Sequence, residues 1–325
     1  MIVHPIAILG CGDFLRSQVD FLKNSRTIRV ATVYDLDPMR AQKFGQLFGS
    51  SVAADPNAIF ADNSVHLIAF FIPPWIRKDL FLKAATSGKH VIATKPLAAS
   101  INDCQEITAA VSRSGIKVGV IYGRTSDPFI EATRDLFISG RFGRLALYRQ
   151  DWIHAYPQWN NWATDPAKNG GPFMDAMIHN LNAACFLMDR SVEKTAFFSD
   201  RLAHPELKCA DTEAMILKFA GGGVANLFIT WAADLATRSQ ECNDREHIDL
   251  FYLVTDKGWR ITKDWQHGSP VIIASREGQQ EIISCLPIPI TPYDAFTAHL
   301  DGGPFPRVLA TLDDASRDIT LIRGV

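Results

Sequence analysis

The segment AILGCGDFLRS, residues 7–17, contains the pattern that decides the fold of the first half of this chain. An apolar run ends at Gly10, Gly12 follows, and a helical pattern begins at Asp13. In such a strand–loop–helix unit the first glycine permits a tight turn and the second lets the backbone approach a phosphate. N–H groups at the helix N-terminus bind the pyrophosphate. The predicted dinucleotide contacts here are Gly10, Gly12, Asp13, Phe14 and Leu15.

A carboxylate stands at the end of the second predicted strand. Asp35 follows the apolar run in TVYDLDP. A carboxylate there accepts hydrogen bonds from the adenosine ribose hydroxyls and repels a 2′-phosphate, so we predict NAD rather than NADP as the cofactor. The alternative is that Asp35 caps the next helix. Asp37 suits that role better, because it directly precedes Pro38.

The chain changes character part-way along its length. Residues 1–123 alternate near-continuous apolar runs with amphipathic helical stretches, a pattern that predicts a doubly wound parallel sheet. From about residue 145 strand patterns dominate, and AGGGV and TDKGW are typical of hairpin turns. We therefore predict an α/β protein with a Rossmann domain over 1–123. An α+β domain with an open, mainly antiparallel sheet is predicted over 124–325.

Composition limits the classes of partner. The chain has 325 residues, of which 47% are hydrophobic and 21% charged, and its formal net charge is −2. This balance argues against a nucleic-acid or anionic-membrane partner. The apolar runs are too short to span a bilayer, and the first residues lack the features of a signal peptide. The six cysteines show no zinc-ligand spacing, so we expect no metal and a cytoplasmic protein with reduced thiols.

Lys95 is placed unusually, at the end of the apolar run in HVIATKPLAAS, residues 90–100. The run belongs to FIPPWIRKDLFLKAATSGKHVIATKPLA, and GGPFMDAMIHNLN follows in the second half. With the first glycine loop and VGVIYGRTSDPFIEATRDLFISGRFGRL, these segments resemble the glucose–fructose oxidoreductase, inositol dehydrogenase and rhizopine-catabolism (Gfo/Idh/MocA) oxidoreductases in order and spacing. The resemblance extends over most of the chain.

The resemblance implies NAD(P)-linked oxidation or reduction of sugars, polyols or cyclitols. It places Lys95 beside the nicotinamide and identifies Asp175 and His179 as the D-x-x-x-H pair of the active site. Histidine suits the removal of a hydroxyl proton at neutral pH. On a helix, an aspartate four residues earlier shares its face. Lys95 can donate to the substrate oxygen as negative charge develops there.

Each of these three residues also has an ordinary structural interpretation. A histidine on an apolar helix is usually a hydrogen-bonded structural residue, and a lysine at a strand end is usually solvated. The joint pattern, rather than any single residue, favours a catalytic role.

Further residues are expected to contact the cofactor or the substrate. Near the nicotinamide, the expected residues are Pro73, Pro74, Trp75 and Thr94. Arg124 is a candidate for binding a polyol or anionic substrate, or else a surface residue of the crossover between domains. The aromatic loop DWIHAYPQWNNWATDPAKNGG supplies His154 and Trp162 as candidate substrate contacts, although its rings can also fill an interface.

Three positions depart from the family pattern. Leu15 replaces the third glycine of G-x-G-x-x-G, Thr94 replaces the glutamate common before K-P, and Arg77 stands where a histidine is common. Besides a dehydrogenase, the alternatives are therefore an NAD-requiring glycosidase and a non-catalytic dinucleotide-binding regulator. The apolar strands NLFITWAA and DLFYLV predict a homodimer or homotetramer formed through the C-terminal sheet.

Overall fold

A computed structural model describes residues 2–158, 161–233 and 248–324. Cys242 and Trp159, which belong to the cysteine set and the aromatic loop noted above, lie outside these residues. The chain forms two compact units. The first comprises residues 1–125 and 289–319, and the second comprises residues 126–288 and 320–325.

The first unit contains a six-stranded parallel sheet in the order β3-β2-β1-β4-β5-β6. Its strands are β1 (His4–Leu9), β2 (Ile28–Tyr34), β3 (Ser51–Val52), β4 (Leu67–Phe70), β5 (His90–Thr94) and β6 (Val118–Ile121). The helices between them are α1 (Asp13–Asn24), α2 (Pro38–Phe48), α3 (Pro56–Ala61), α4 (Arg77–Thr86) and α5 (Ile101–Ser114). This is the doubly wound order predicted from the alternating pattern, with the strand order reversing between β1 and β4.

Local sequence explains where these helices begin and end. Asp37 accepts hydrogen bonds from the N–H groups of Met39 and Arg40, and Pro38 occupies the first turn of α2, as predicted. The helix ends at Gly49 with φ +62°, a conformation that glycine adopts without steric cost. Ser100 caps α5 in the same way as Asp37 caps α2.

The second unit contains an eight-stranded sheet in the order β14-β13-β12-β11-β7-β10-β9-β8. Its strands are β7 (Leu145–Ile153), β8 (Val192–Asp200), β9 (Thr212–Phe219), β10 (Val224–Thr230), β11 (Ile248–Thr255), β12 (Arg260–Gln266), β13 (Ser269–Arg276) and β14 (Gln279–Ser284). The helices α6 (Pro128–Ile138) and α7 (Ile178–Met188) belong to the same unit. Neighbouring strands are antiparallel except for β7 and β10, so the predicted mainly antiparallel sheet is confirmed.

The two faces of this sheet differ. Residues such as Met215, Leu227 and Leu253 are buried on the face that carries α6 and α7. Exposed apolar side chains occupy the opposite face, which we call the outer face; they include Phe198, Ile216, Leu250 and Ile282. The hairpins predicted at AGGGV and TDKGW join β9 to β10 and β11 to β12.

The segment after the second sheet returns to the first unit. It contains α8 (Pro292–Leu300), and α9 (Leu312–Arg323) follows. Asp294 accepts hydrogen bonds from the hydroxyls of Ser25 and Thr27, and Ala310 exchanges two backbone hydrogen bonds of 2.9 Å with Val120 of β6. The predicted division into 1–123 and 124–325 did not include this return, because polar contacts between distant segments leave no local pattern.

Two further features follow from the fold. Thr311 caps α9, since its Oγ1 accepts from the N–H of Asp314 at 3.0 Å. No helix among the described residues is both long and apolar enough to cross a bilayer.

Candidate active site

The glycine loop after β1 is held against the segment that follows β4. Gly10 has φ +97°, and its N–H donates to the carbonyl of Tyr34 at 2.9 Å. A Cβ at Gly10 would lie 2.4 Å from the carbonyl oxygen of Phe71. This position therefore requires glycine for two reasons, the positive φ and the close approach of backbone.

Asp35 is tied to the same loop. Its Oδ2 accepts the N–H of Cys11 at 2.7 Å, and its Oδ1 accepts the N–H of Asp37 at 2.8 Å. An ionised carboxylate has about four acceptor positions, so both oxygens retain capacity for ribose hydroxyls. The contact with Cys11 fixes the carboxylate beside the loop, which is where a dinucleotide's adenosine half would need it.

The start of α1 suits a pyrophosphate. Among the described residues no side chain caps this helix at its N-cap residue, Gly12, and a Cβ at Gly12 would meet nothing within 4 Å. The uncapped N–H groups and the open space fit the phosphates of NAD. Leu15 is completely buried, so this helix packs on the sheet with a leucine where the fingerprint has its third glycine.

The residues expected near the nicotinamide follow β4 and β5. Pro74 and Trp75 lie in a 3₁₀ turn that Pro73 precedes, and α4 begins directly after it. Lys95 follows β5, is half-buried, and donates its backbone N–H to the carbonyl of Ile121 at 3.1 Å. The carboxyl ends of neighbouring parallel strands thus bring the residues expected to contact the nicotinamide to one edge of the sheet.

Arg77 connects these segments. Its side chain is 2% exposed, and Nη1 donates to the carbonyls of Thr94 and Pro96. Nε donates to the carbonyl of Ile72 at 2.8 Å, and Nη2 donates to Oγ1 of Thr94 at 2.7 Å. The sequence showed Arg77 and Thr94 only as separate departures from the family pattern, whereas the structure shows them in contact.

Asp175 and His179 belong to the second unit, at the junction of two helix types. Asp175 lies in a π-helical turn, Phe173–Met177, and His179 lies in the first turn of α7. Both side chains are half-buried. The sequence predicted one regular helix through both residues. Single π-helical turns frequently occur at functional sites.

Asn169 and Glu213 lie against this turn, and neither residue was predicted from the sequence to belong to the site. Nδ2 of Asn169 donates to Oδ1 of Asp175 at 3.1 Å, and Asn169 is fully buried. Oε2 of Glu213 accepts the N–H of Phe173, the first residue of the π turn, at 2.6 Å. The two contacts fix the helix that carries Asp175.

Burial sets the ionisation of Glu213. Loss of hydration raises the pKa of this carboxyl from 4.5 to about 7, against the opposing effects of the Phe173 N–H and the charge of Arg323. A signal for Glu213 was present in the sequence: it occupies one of the alternate positions of β9 that face the core. A glutamate at such a position needs a partner.

The remaining predicted substrate contacts have different surroundings. Arg124 is buried, and its guanidinium donates to the carbonyls of Arg307, Val308 and Leu309. These bonds hold the returning segment and give no support to a substrate role. His154 is buried with Nδ1 2.8 Å from the carbonyl of Ala155, and Trp162 is half-buried in a turn.

Two family models match the chain. The model described as "Oxidoreductase family, NAD-binding Rossmann fold" matches residues 5–122, and the "GFO/IDH/MocA C-terminal domain" matches residues 130–246. The chain belongs to the Gfo/Idh/MocA oxidoreductase family. The resemblance noted in the sequence is thereby confirmed, and the first unit contains the NAD-binding Rossmann domain of this family.

Curated relatives and solved structures agree with this membership. Inositol 2-dehydrogenase of Ralstonia nicotianae is 26% identical over 225 residues, 67% of this chain and 64% of the relative. The 2,7-anhydro-N-acetylneuraminate hydratase of Mediterraneibacter gnavus is 26% identical over 216 residues, 65% of this chain and 56% of the relative. The first of the curated relatives are matched over 56% to 64% of their own length.

A structure of aldose-aldose oxidoreductase from Caulobacter crescentus, complexed with glycerol, superposes on this chain with a TM-score of 0.83 at 20% identity. The alignment covers 99% of this chain and 96% of that chain. At this level of identity the superposition shows a shared fold.

Proposed function

We propose that this protein is an NAD-dependent dehydrogenase or reductase that acts on a sugar, polyol or cyclitol. The observation that carries the proposal is the Asp35 carboxylate bonded to Cys11 in the glycine loop, beside the uncapped start of α1. A ribose-binding carboxylate at this place repels the 2′-phosphate of NADP, which favours NAD.

Each candidate catalytic residue has a separate task in this proposal. Bound NAD would accept the hydride from an alcohol, or NADH would deliver one to a carbonyl. His179 takes the hydroxyl proton, because an imidazole ordinarily titrates near neutral pH. Asp175, held by Asn169, orients the imidazole and stabilises its cation. Lys95 donates a hydrogen bond to the substrate oxygen as negative charge develops there.

The substrate class follows from the relative named inositol 2-dehydrogenase and from the aromatic loop. Trp162 and His154 are proposed to contact the substrate, since aromatic faces pack against sugar and cyclitol rings. With Nδ1 donating to the Ala155 carbonyl, Nε2 of His154 is the ring nitrogen that carries no proton in the neutral imidazole.

A second candidate is an enzyme that requires NAD but forms no net NADH, such as the glycosidase considered from the sequence. The relative named as a hydratase shows that not all relatives of this chain are named as dehydrogenases. The two candidates differ in one measurement, the net formation of NADH during turnover.

We also propose a homodimer or homotetramer formed through the outer face of the second sheet. Its apolar side chains Phe198, Ile216, Leu250 and Ile282 are exposed, and such faces are commonly covered by a second subunit. A cytoplasmic location is proposed because Cys11, Cys104, Cys209 and Cys285 are buried without disulfide bonds.

Titration with NAD(H) and NADP(H), followed by fluorescence and thermal shift, tests the cofactor. Micromolar NAD(H) binding that is lost in Asp35→Ala is the expected result. A screen of sugars and polyols for NADH formation, with Lys95→Ala as the inactive control, then tests the reaction. Failure of the wild-type chain to bind either dinucleotide would contradict the proposed function.

A further inference from the structure

The buried guanidinium of Arg77 lies against the backbone on both sides of Lys95. Its Nη1 donates to the carbonyls of Thr94 and Pro96, and its Nε to that of Ile72. These residues lie at or just after the carboxyl ends of β4 and β5, in the half of the Rossmann sheet opposite the half that carries Asp35. Because Asp35 marks the adenosine half of the site, Arg77 lies in the half that receives the nicotinamide.

No acid within the described ranges neutralises the charge of Arg77. Its acceptors in the described part of the chain are three carbonyls and one hydroxyl, and no carboxylate there forms an ion pair with it. Burial lowers the pKa of this guanidinium to about 9, so it remains a cation at neutral pH. Carbonyl dipoles stabilise a cation without removing its net charge, and in a medium of low dielectric that charge acts over several ångströms.

We propose that Arg77 makes this chain bind NADH in preference to NAD⁺. The inference rests on the proposed function, because it concerns the same cofactor site. The nicotinamide ring of NAD⁺ is cationic and that of NADH is neutral, so a buried cation opposes only the oxidised form.

Thr94 preserves this charge. Its hydroxyl oxygen accepts from Nη2 of Arg77 at 2.7 Å. A carboxylate introduced at residue 94 would lie beside the guanidinium and neutralise it, whereas a hydroxyl leaves the charge in place. Arg77 and Thr94 thus act as a pair that keeps the nicotinamide half of the site electropositive.

The test is the ratio of dissociation constants for NAD⁺ and NADH, measured by calorimetry on the full chain. The variants are Arg77→Met, which removes the charge, Arg77→Lys, which keeps it, and Thr94→Glu, which compensates it. Arg113→Met removes an exposed arginine of α5 and is the matched control. Circular dichroism and thermal unfolding establish that each variant is folded.

We expect the ratio of the NAD⁺ to the NADH dissociation constant to be the same in the wild-type chain, Arg113→Met and Arg77→Lys. In Arg77→Met and Thr94→Glu we expect this ratio to be roughly tenfold lower. An unchanged ratio in folded Arg77→Met and Thr94→Glu overturns the inference while the proposed function stands. An equal fall in Arg77→Lys also overturns it, since geometry rather than charge would then set the ratio. If Arg77→Met does not fold, Thr94→Glu decides alone. Absence of any dinucleotide binding by the wild-type chain overturns the proposed function and this inference together.

Discussion

Nδ2 of Asn169 donates a hydrogen bond of 3.1 Å to Oδ1 of Asp175, from a position that is fully buried. The backbone carbonyl of Asn169 in turn accepts from Nη2 of Arg323 at 3.2 Å. Asp175, the aspartate of the D-x-x-x-H pair, is therefore held by Asn169, and the backbone of Asn169 is itself held by Arg323.

Replacing Asn169 tests whether this contact orients Asp175 for catalysis. Asn169→Leu removes the amide at similar volume, and we expect kcat to fall roughly tenfold, as for the loss of one hydrogen bond to a charged group. The dissociation constant for NADH is expected to stay unchanged, because Asn169 belongs to the second unit. Steady-state kinetics and calorimetry measure the two quantities. Asn102→Leu, on the exposed face of α5, is the control; an equal loss of kcat in both variants would contradict the prediction.

Alanine substitutions at Gly10 and Gly115 distinguish two contributions to the loss of stability, the cost of a positive φ and the cost of a steric contact. Gly115→Ala, at φ +70° with open space around a Cβ, is expected to lower the free energy of unfolding by about 1 kcal/mol. Gly10→Ala also forces a Cβ against the carbonyl of Phe71 and is expected to cost about 2 kcal/mol more. Urea denaturation measures both values. Equal costs would show that the loop moves away from Phe71 without penalty.

Glu213 gives the stability of the chain a defined pH dependence. Because its pKa rises from 4.5 to about 7 on folding, the folded chain binds more protons than the unfolded chain between these values. The contribution of Glu213 to stability is therefore present below pH 4.5 and is lost as the pH rises to about 7.

Glu213→Gln removes this titration and keeps an acceptor for the N–H of Phe173. We expect the unfolding temperature of the variant to rise relative to the wild type as the pH increases from about 5 to about 8. Glu277→Gln, at an exposed hairpin position, should show no such trend. A constant difference between Glu213→Gln and the wild type across this pH range would refute the assignment.

The outer face of the second sheet is tested at Leu250. This side chain is 45% exposed near the centre of the sheet, and Leu250→Asp places a charge where a second subunit is proposed to pack. We expect light scattering to show a smaller assembly with NADH affinity retained. Leu202→Asp changes an exposed leucine outside the strands and should leave the assembly intact. A wild-type chain that is already monomeric would exclude the proposed oligomer.

Local patterns in the sequence were sufficient for much of the fold. The apolar runs became the parallel strands, Asp37 became a helix cap, and the two glycine turns became hairpins. Each of these features depends on residues close together in the chain, so periodicity and turn chemistry predict it.

The features that the sequence did not predict depend on distant residues. The carbonyls of Thr94 and Pro96 that accept from Arg77 lie 17 and 19 residues away, and Glu213 contacts Phe173 across 40 residues. The bonds from Arg124 to residues 307–309 span more than 180 residues. Long-range contacts of this kind decide whether a charged side chain is buried, and hydrophobic periodicity carries no information about them.

The return of residues 289–319 to the first unit has a consequence for biosynthesis. Strand β6 forms one edge of the parallel sheet, and its Val120 is covered by Ala310. At roughly 5–20 residues per second, about 10–40 s separate the synthesis of these two residues. During that interval the nascent Rossmann sheet presents an unprotected edge, so we expect chaperones that recognise exposed strands to bind it before translation ends.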